Sequence, residues 1–350
     1  IESGEVLVDS ARAAAERDRF VTGDPVNTAA RLQAAAEPGA VIVGPATYGA
    51  TRHIFEYVTL PEVELKGKSA PVGSWRAIAT RTGRGGGRAR LGLQAPFVGR
   101  EVELSRLKET VHGVVDDGHP YLISVIGSAG VGKSRLAWEL EKYLDGLPGV
   151  FHWRKGRCLA YADRSLGPIA EVVRRDAGIS EDDAPEMVRE TLQARLEALP
   201  LNGDRASVRA ALEAVLGIGE GRELPRETIF EAVRAYLQAI AEVQPLILVM
   251  EDIHWADEGT LSFLDLLARW GDGRMAILCL ARHELLEQRP GWGTGLPRSA
   301  TITLEPLGAE ASGRLLTGLL GTSVPDPLTD RVASMSEGNP LFAEEMVRML

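Results

Sequence analysis

The chain has 350 residues, 45% of them hydrophobic and 25% charged, and a formal net charge of -10. That is the composition of an ordinary globular protein with room for two or three domains, and its acidic balance argues against a surface that coats nucleic acid, leaving only a local basic patch open. The two cysteines, Cys158 and Cys279, form no CxxC pair and the six histidines show no paired ligand spacing, so neither a disulfide framework nor a zinc site is suggested and a reducing, cytoplasmic compartment is expected. No apolar run approaches the roughly 18 residues that span a bilayer, so no membrane segment is expected within this sequence. It opens at Ile1 without an initiator methionine and stops at Leu350 inside an apparent helix. Both ends are therefore expected to be cut from a longer protein.

In chain order, Glu5–Val8 and Val41–Val43 carry short strand signals, the second after the turn Glu37-Pro38-Gly39. Between them, Thr22-Gly23-Asp24-Pro25-Val26-Asn27-Thr28-Ala29-Ala30-Arg31-Leu32 reads as a helix from Pro25 onward, with Asn27 and Arg31 at i and i+4 on one face. An amide beside a guanidinium can hold a substrate oxygen and a developing phosphoryl charge; the same pair can equally cap and cover a surface helix.

This motif, together with Glu64-Leu65-Lys66-Gly67-Lys68 and the closing strand Val72–Ile78, resembles the C-terminal half of a class III adenylate/guanylate cyclase domain. The resemblance implies a ferredoxin-like α+β fold and a site shared between two domains, hence a homodimer. It assigns Asn27 and Arg31 to transition-state stabilisation and Lys66 to the polyphosphate, with Lys68 close enough to compete for that role. The family's two metal-binding aspartates and its base-selecting lysine would precede Ile1. The second base-selecting position, seven residues before Asn27, is Phe20, so the choice between ATP and GTP is not legible. Without the metal half, this segment alone is expected to make no cyclic nucleotide.

Residues 81–95 hold Arg81, Arg84, Arg88 and Arg90 among five glycines without apolar periodicity. They read as a flexible linker whose charges are solvated.

The stretch Tyr121–Leu144 organises the rest. An apolar run, Tyr121–Ile126, leads into Gly127-Ser128-Ala129-Gly130-Val131-Gly132-Lys133-Ser134, which matches G-x-x-x-x-G-K-[ST] at every fixed position. A triphosphate needs many backbone N–H donors close by, and glycines let the backbone approach. Lys133 can reach the β/γ oxygens, Ser134 offers a hydroxyl to Mg²⁺, and the helix start adds favourable charge. Leu136, Leu140 and Leu144 follow at helical spacing, as Leu104, Leu107, Val111 and Val114 do in the preceding helix. Further on, Leu246–Met250 is an uninterrupted apolar run ending in Glu251-Asp252, which fits a central parallel strand delivering acids at its C-terminal edge. One carboxylate can hold the Mg²⁺ shell while its neighbour orients the attacking water. Order suggests Glu251 for the metal and Asp252 for the water, and the reverse is also open.

Pro96-Phe97-Val98-Gly99-Arg100-Glu101, Ile253-His254-Trp255-Ala256-Asp257 and Gly338-Asn339-Pro340-Leu341-Phe342 resemble motifs of STAND and AAA-type signalling ATPases. That resemblance implies that Val98 and Gly99 lie against adenine, that Arg282, at the end of the buried strand Met275–Ala281, senses the γ-phosphate, and that Pro340 presses on the adenine side. A salt bridge at the strand edge is the other reading of Arg282. His254 and Trp255 are expected to be packing residues. Phe151–Arg154 reads as a strand followed by Gly156–Leu159, and Phe230, Val233, Leu237 and Ile240 form a core stripe.

The expected fold class is α/β: the tail of a cyclase domain over residues 1–80, the linker over 81–95, a doubly wound P-loop NTPase with a parallel sheet over 96–306, and the beginning of a helical lid over 307–350. The expected function is an ATP- and Mg²⁺-dependent signalling switch fused to a cyclase, with a nucleoside triphosphate, a second copy and other signalling domains as partners. A nucleotide-binding scaffold with a degenerate dimerising cyclase segment, or a DNA-loading AAA ATPase, are the alternatives, and nucleic acid is not an expected partner.

Overall fold

A computed structural model describes residues 1–4, 7–8, 21–36, 40–51, 55–63, 72–80, 95–147, 151–160, 165–180, 183–219, 224–320 and 326–349. Lys66, Lys68, Phe20, the linker arginines and the turns at 37–39 and 181–182 lie outside the described residues. The chain divides into two units, residues 1–90 and 91–350, and each is described by itself.

In the first unit, β1 (Leu7–Val8) pairs antiparallel with β2 (Val21–Thr22), which leads into α1 (Asp24–Ala35). Pro25 sits in the first turn of α1, where its missing N–H costs nothing. β3 (Val41–Val43) is followed by α2 (Pro45–Thr51). A second antiparallel sheet has the order β3, β5, β4, in which β4 is Phe55–Val63 and β5 is Val72–Thr80. Tyr48 stacks on Trp75 with ring centroids 4.2 Å apart, which seats α2 on β5.

In the second unit, α3 (Glu101–Asp117) ends at Gly118 in the left-handed region and gives way to β6 (Tyr121–Gly127). The phosphate-loop motif then opens α4 (Lys133–Asp145), followed by β7 (His152–Arg157). Four helices come next: α5 (Gly167–Ala177), α6 (Pro185–Ala198), α7 (Arg205–Leu216) and α8 (Arg226–Val243). After them, β8 (Leu246–Glu251), a single 3₁₀ turn over Ile253–Trp255, α9 (Glu258–Trp270), β9 (Met275–Ala281), the short α10 (Glu284–Gln288) and β10 (Ser299–Leu304) complete the core. The last three helices are α11 (Ala309–Leu320), α12 (Asp326–Ser336) and α13 (Pro340–Arg348).

All pairings of the five-stranded sheet are parallel, in the order β10, β6, β9, β8, β7. Both faces are covered, so alternate residues of the central strands divide between two cores. Ile123, Val125, Ile247, Val249 and Leu278 pack with Leu107 and Val111 of α3 and Leu136 and Leu140 of α4. Leu122, Ile126, Leu248, Met250 and Ile277 face α5, α8 and α9, where Phe230, Val233, Leu237 and Ile240 form the expected stripe. Burial of each such large apolar side chain contributes roughly 1.5–3 kcal/mol before chain entropy is counted. A third cluster joins Leu315, Leu316 and Leu319 of α11 to Val332, Ala343 and Val347, with Val98 packed against it.

A charged side chain reaches into the larger core at Asp176, which accepts hydrogen bonds from Arg195 Nε at 2.8 Å, Arg154 Nε at 2.8 Å and the Tyr236 hydroxyl at 2.6 Å. Burial pushes its carboxyl up, but these three partners together hold it below the usual carboxylate range.

Candidate functional site

Because the sheet is parallel, its loops collect at one edge, and β6, β8 and β9 each deliver part of the phosphate-loop motif's surroundings there. Ser128 and Ala129 are exposed, Val131 is buried, and Gly132, in the left-handed region, precedes Lys133 at the first position of α4. Gly130 adopts φ 79°, and a Cβ on it would lie 2.6 Å from Asn339 Oδ1 and 2.9 Å from Leu341 Cβ. Only glycine fits there.

Lys133 Nζ donates to the carbonyls of Gly127 at 2.7 Å and Ser128 at 2.8 Å. Burial, seconded by the Arg282 guanidinium, lowers its pKa from the ordinary lysine value, while Asp252 and Glu284 act in the opposite sense. Lys133, Asp252 and Arg282, contributed by three different segments, therefore share one electrostatic environment. Ser134 is exposed in the first turn of α4.

The two acids of β8 part ways. Glu251 follows the strand's alternation onto the α4 side, is buried, and pairs with Lys155 Nζ at 2.7 Å. Asp252 has φ 56° and ψ 37°, a left-handed backbone for a non-glycine residue. Such a conformation costs of order 1 kcal/mol or more and needs its surroundings to enforce it. It turns Asp252 out of the strand's register, and its Oδ2 accepts a hydrogen bond from Arg157 Nε at 2.9 Å. Arg157 was invisible as a site residue because its partner lies 95 positions away, and it ends β7 rather than following the strand.

Arg282 stands immediately after β9, half-buried, and its backbone N–H donates to His254 Nδ1 at 3.4 Å. His254 is buried, and burial first, with Arg282 and Lys133, lowers its pKa, so it is a neutral acceptor at Nδ1 near neutrality. Trp255, expected to pack beside it, is instead 48% exposed. The one-turn 3₁₀ segment rotates the two neighbours to different sides, and only His254 turns inward. Asp257 closes the motif by capping α9, accepting from the Thr260 N–H at 3.0 Å and from the Ser165 hydroxyl at 2.7 Å.

The motifs at the two ends of this unit meet the last three helices. Val98 packs into the α11–α13 cluster, and a Cβ on Gly99 would lie 2.6 Å from Ala311 Cβ. Arg100 is buried and donates to the Glu305 carbonyl, which ties the same segment to the end of β10. Pro340 occupies the first turn of α13, capped by Asn339, whose Oδ1 accepts from the Leu341 N–H at 3.1 Å. Ser128, Val131, Pro306, Met335, Asn339 and Phe342 line a cleft of about 390 Å³ between the phosphate loop and the α12–α13 corner. Val98, Gly99 and Pro340 are not among its lining residues.

In the first unit, Asn27 and Arg31 are both exposed on α1, one turn apart. Cys158 and Cys279, distant in sequence, belong to the same core and carry free thiols; burial pushes the Cys158 thiol up to about 12. Among the described residues, no group of three or more His, Cys, Asp or Glu side chains is placed to hold a metal ion, and no helix is long and apolar enough to cross a membrane.

Comparison with known families matches residues 96–278, a little over half of the chain, to the AAA ATPase domain. The chain belongs to this family. Its AAA ATPase domain therefore spans α3 to most of β9, phosphate loop and acidic strand included. An uncharacterized protein of Rhizobium meliloti (strain 1021), R02095, is 26% identical over 356 residues, covering 93% of this chain and 32% of that protein. The chain thus spans about a third of the length of this relative. Among solved structures, Drosophila ORC bound to DNA is 14% identical over 74% of this chain and 56% of that chain, with a TM-score of 0.47. Cdc6p from Pyrobaculum aerophilum, also 14% identical, covers 74% of this chain and 62% of its own, with a TM-score of 0.45. No cyclase is named among these matches, and the sequence resemblance of residues 1–80 rests on its motifs alone.

Proposed function

We propose that this chain is an ATP-binding and ATP-hydrolysing signalling switch in which the AAA ATPase core and the α11–α13 lid move against one another. The observation that carries this reading is the Gly127–Ser134 loop between β6 and α4, with Lys133 Nζ on its carbonyls at 2.7 and 2.8 Å and with Asp252 and Arg282 directly after the neighbouring parallel strands β8 and β9. The donor set fits the ligand: glycines at 127, 130 and 132 let the backbone come close to a phosphate, and Lys133 adds a cation. The Ser134 hydroxyl and a carboxylate are hard oxygen donors suited to Mg²⁺, which keeps water and phosphate oxygens in the rest of its shell. Once bound, Mg²⁺ neutralises charge on the β- and γ-oxygens.

Of the two acids, Asp252 is the better candidate for direct work at the phosphates, because Glu251 is buried and engaged by Lys155, whereas Asp252 turns out of the strand and is partly open to solvent. Glu251 then serves from the α4 side, so the sequence order of roles is reversed. Arg282 senses the γ-phosphate, with its backbone fixed by His254. The purine occupies the cleft beside Val131 and Phe342; Pro340 shapes it from the head of α13, and Val98 and Gly99 act through α11. Isothermal calorimetry with Mg·ATP tests this reading. Uptake by the wild type that is weakened at least a hundredfold by Lys133→Ala supports it; no uptake by folded wild-type protein would sink it.

For the first unit, we infer the tail of a class III nucleotidyl cyclase domain, supported by the exposed Asn27 and Arg31 on α1 directly after an antiparallel strand pair. In that reading Lys66 contacts polyphosphate, a second copy completes the site, and the ATPase switch sets how the two halves meet. Cyclic-nucleotide production by the full-length protein from ATP or GTP tests it. Production from neither assigns this unit to a dimerising scaffold.

A further inference from the structure

The carbonyls on the back of the phosphate loop are satisfied by two different parts of the molecule. Gly127 O and Ser128 O accept from Lys133 Nζ at 2.7 and 2.8 Å. Ala129 O accepts from Asn339 Nδ2 at 2.8 Å, and Gly130 O accepts from the Leu341 N–H at 3.4 Å. Four consecutive carbonyls are thus held, the first two by the motif's own lysine and the next two by the head of α13.

A peptide unit is a rigid plane, so fixing a carbonyl fixes the direction of the N–H that follows it. Holding Ala129 O orients the Gly130 N–H, a group of the cradle that takes phosphate, while holding Gly130 O orients the Val131 N–H, which closes the loop's turn onto Ser128 O at 3.5 Å. The Asn339 amide cannot be reversed without loss: its Oδ1 accepts from the Leu341 N–H at 3.1 Å and the Phe342 N–H at 3.5 Å, so its NH₂ must be the end that faces Ala129 O. The corner itself is pinned from behind. The Leu307 N–H donates to Gly338 O at 2.8 Å, a Cβ on Gly338 would lie 2.4 Å from Leu307 O, and Glu337 and Gly338 both adopt positive φ, 48° and 73°. Asn339 therefore sits where lid and core are locked together, and any displacement of α13 must carry the Ala129–Gly130 plane with it or break the bond.

We propose that Asn339 is a positioning residue of the phosphate site: by holding Ala129 O it sets the N–H direction of Gly130 and so makes the triphosphate cradle depend on where the lid stands. This rests on the reading of residues 127–134 as that cradle. The lid is then part of the site's geometry rather than a cover over it.

Two variants separate this role from helix capping. Asn339→Asp and Asn339→Ser keep an N-cap acceptor for Leu341 and Phe342, but Asp has no donor for Ala129 O and Ser is too short to reach it. In the free protein, the NMR order parameter of the Gly130 amide is expected to fall from about 0.85 to below about 0.6 in both variants, while Val131 keeps its order, Leu341 and Phe342 keep helical shifts and the thermal midpoint is retained. Mg·ATP affinity is expected to fall roughly tenfold, as for the loss of one net hydrogen bond. An order parameter at Gly130 equal to wild type in both variants overturns the proposal, whatever the affinity. The wider reading fails differently: unchanged Mg·ATP affinity in Lys133→Ala removes the triphosphate site and leaves the order-parameter result standing.

Discussion

Arg157 Nε donates to Asp252 Oδ2 across 2.9 Å, joining the ends of β7 and β8 through the residue whose backbone leaves the strand in a left-handed turn. The pair is partly open to solvent, with side chains 34% and 29% exposed, so its contribution to stability is under about 1 kcal/mol. Its consequence lies in geometry, since it restricts the rotamers open to the Asp252 carboxylate.

Asp252→Asn is expected to abolish ATP hydrolysis, with a loss of at least about a hundredfold in turnover, while Mg·ATP still raises the thermal midpoint. Arg157→Ala is expected to lower turnover with little change in stability, because the carboxylate stays and only its restraint goes. Phosphate release measured beside thermal unfolding separates the two. Undiminished turnover in Asp252→Asn would remove Asp252 from the chemistry.

How much of this was legible in the sequence follows from where each residue sits. β6, β8 and β9 are buried on both faces, so they read as uninterrupted apolar runs. β10, Ser299–Leu304, lies at the sheet edge with a polar, threonine-rich pattern in which only Ile302 and Leu304 are buried, and nothing in its composition announced it. β7 is at the other edge and is half charged, because Arg154, Lys155 and Arg157 answer Asp176, Glu251 and Asp252. Those partners are remote in sequence, and pair chemistry of that kind has no local signature. The same limit hid Asn339, which lies 210 positions from the carbonyl it holds.

Lys133 gives a pH test. Its folded-state pKa lies below the ordinary lysine value because burial and Arg282 disfavour the charged form. Between the folded and unfolded values the unfolded chain binds more protons, so this residue makes stability rise with pH across that window. Phosphate binding needs the charged amine, so Mg·ATP affinity is expected to run the other way, weakening as pH rises through the folded value. Calorimetry at several pH values checks this, and Lys133→Arg, charged throughout, is expected to remove the pH dependence.

Glu141 of α4 provides a second titration, in the neutral range. Burial, then the nearby Asp145, pushes its carboxyl up to about 7, with Lys155 opposing and Glu251 adding to the rise. In the window between the ordinary value of 4.5 and about 7 the folded protein binds the extra proton, so the contribution is present at low pH and is lost as pH rises through about 7. Glu141→Gln is expected to flatten that part of the stability curve and to be the more stable protein at pH 8. Denaturant unfolding at pH 5 and pH 8 decides, and equal pH dependence in both proteins would assign the titration to another group.

Asn27 offers the cleanest separation of function from fold in the first unit. It is exposed on α1, makes no capping bond there, and lies on the face it shares with Arg31. Exposed substitutions away from caps and cores usually change stability by no more than about 0.5 kcal/mol. Asn27→Ala is therefore expected to leave thermal unfolding unchanged, and alanine's helix propensity, better than that of asparagine, works in the same direction. If the side chain holds a developing phosphoryl charge, the same substitution in the full-length protein lowers cyclic-nucleotide production at least about a hundredfold while Mg·ATP binding at Lys133 is retained. A variant that folds, binds Mg·ATP and makes cyclic nucleotide at the wild-type rate would reduce Asn27 to helix surface. One that loses production and stability together would mean that Asn27 serves the fold through contacts other than capping.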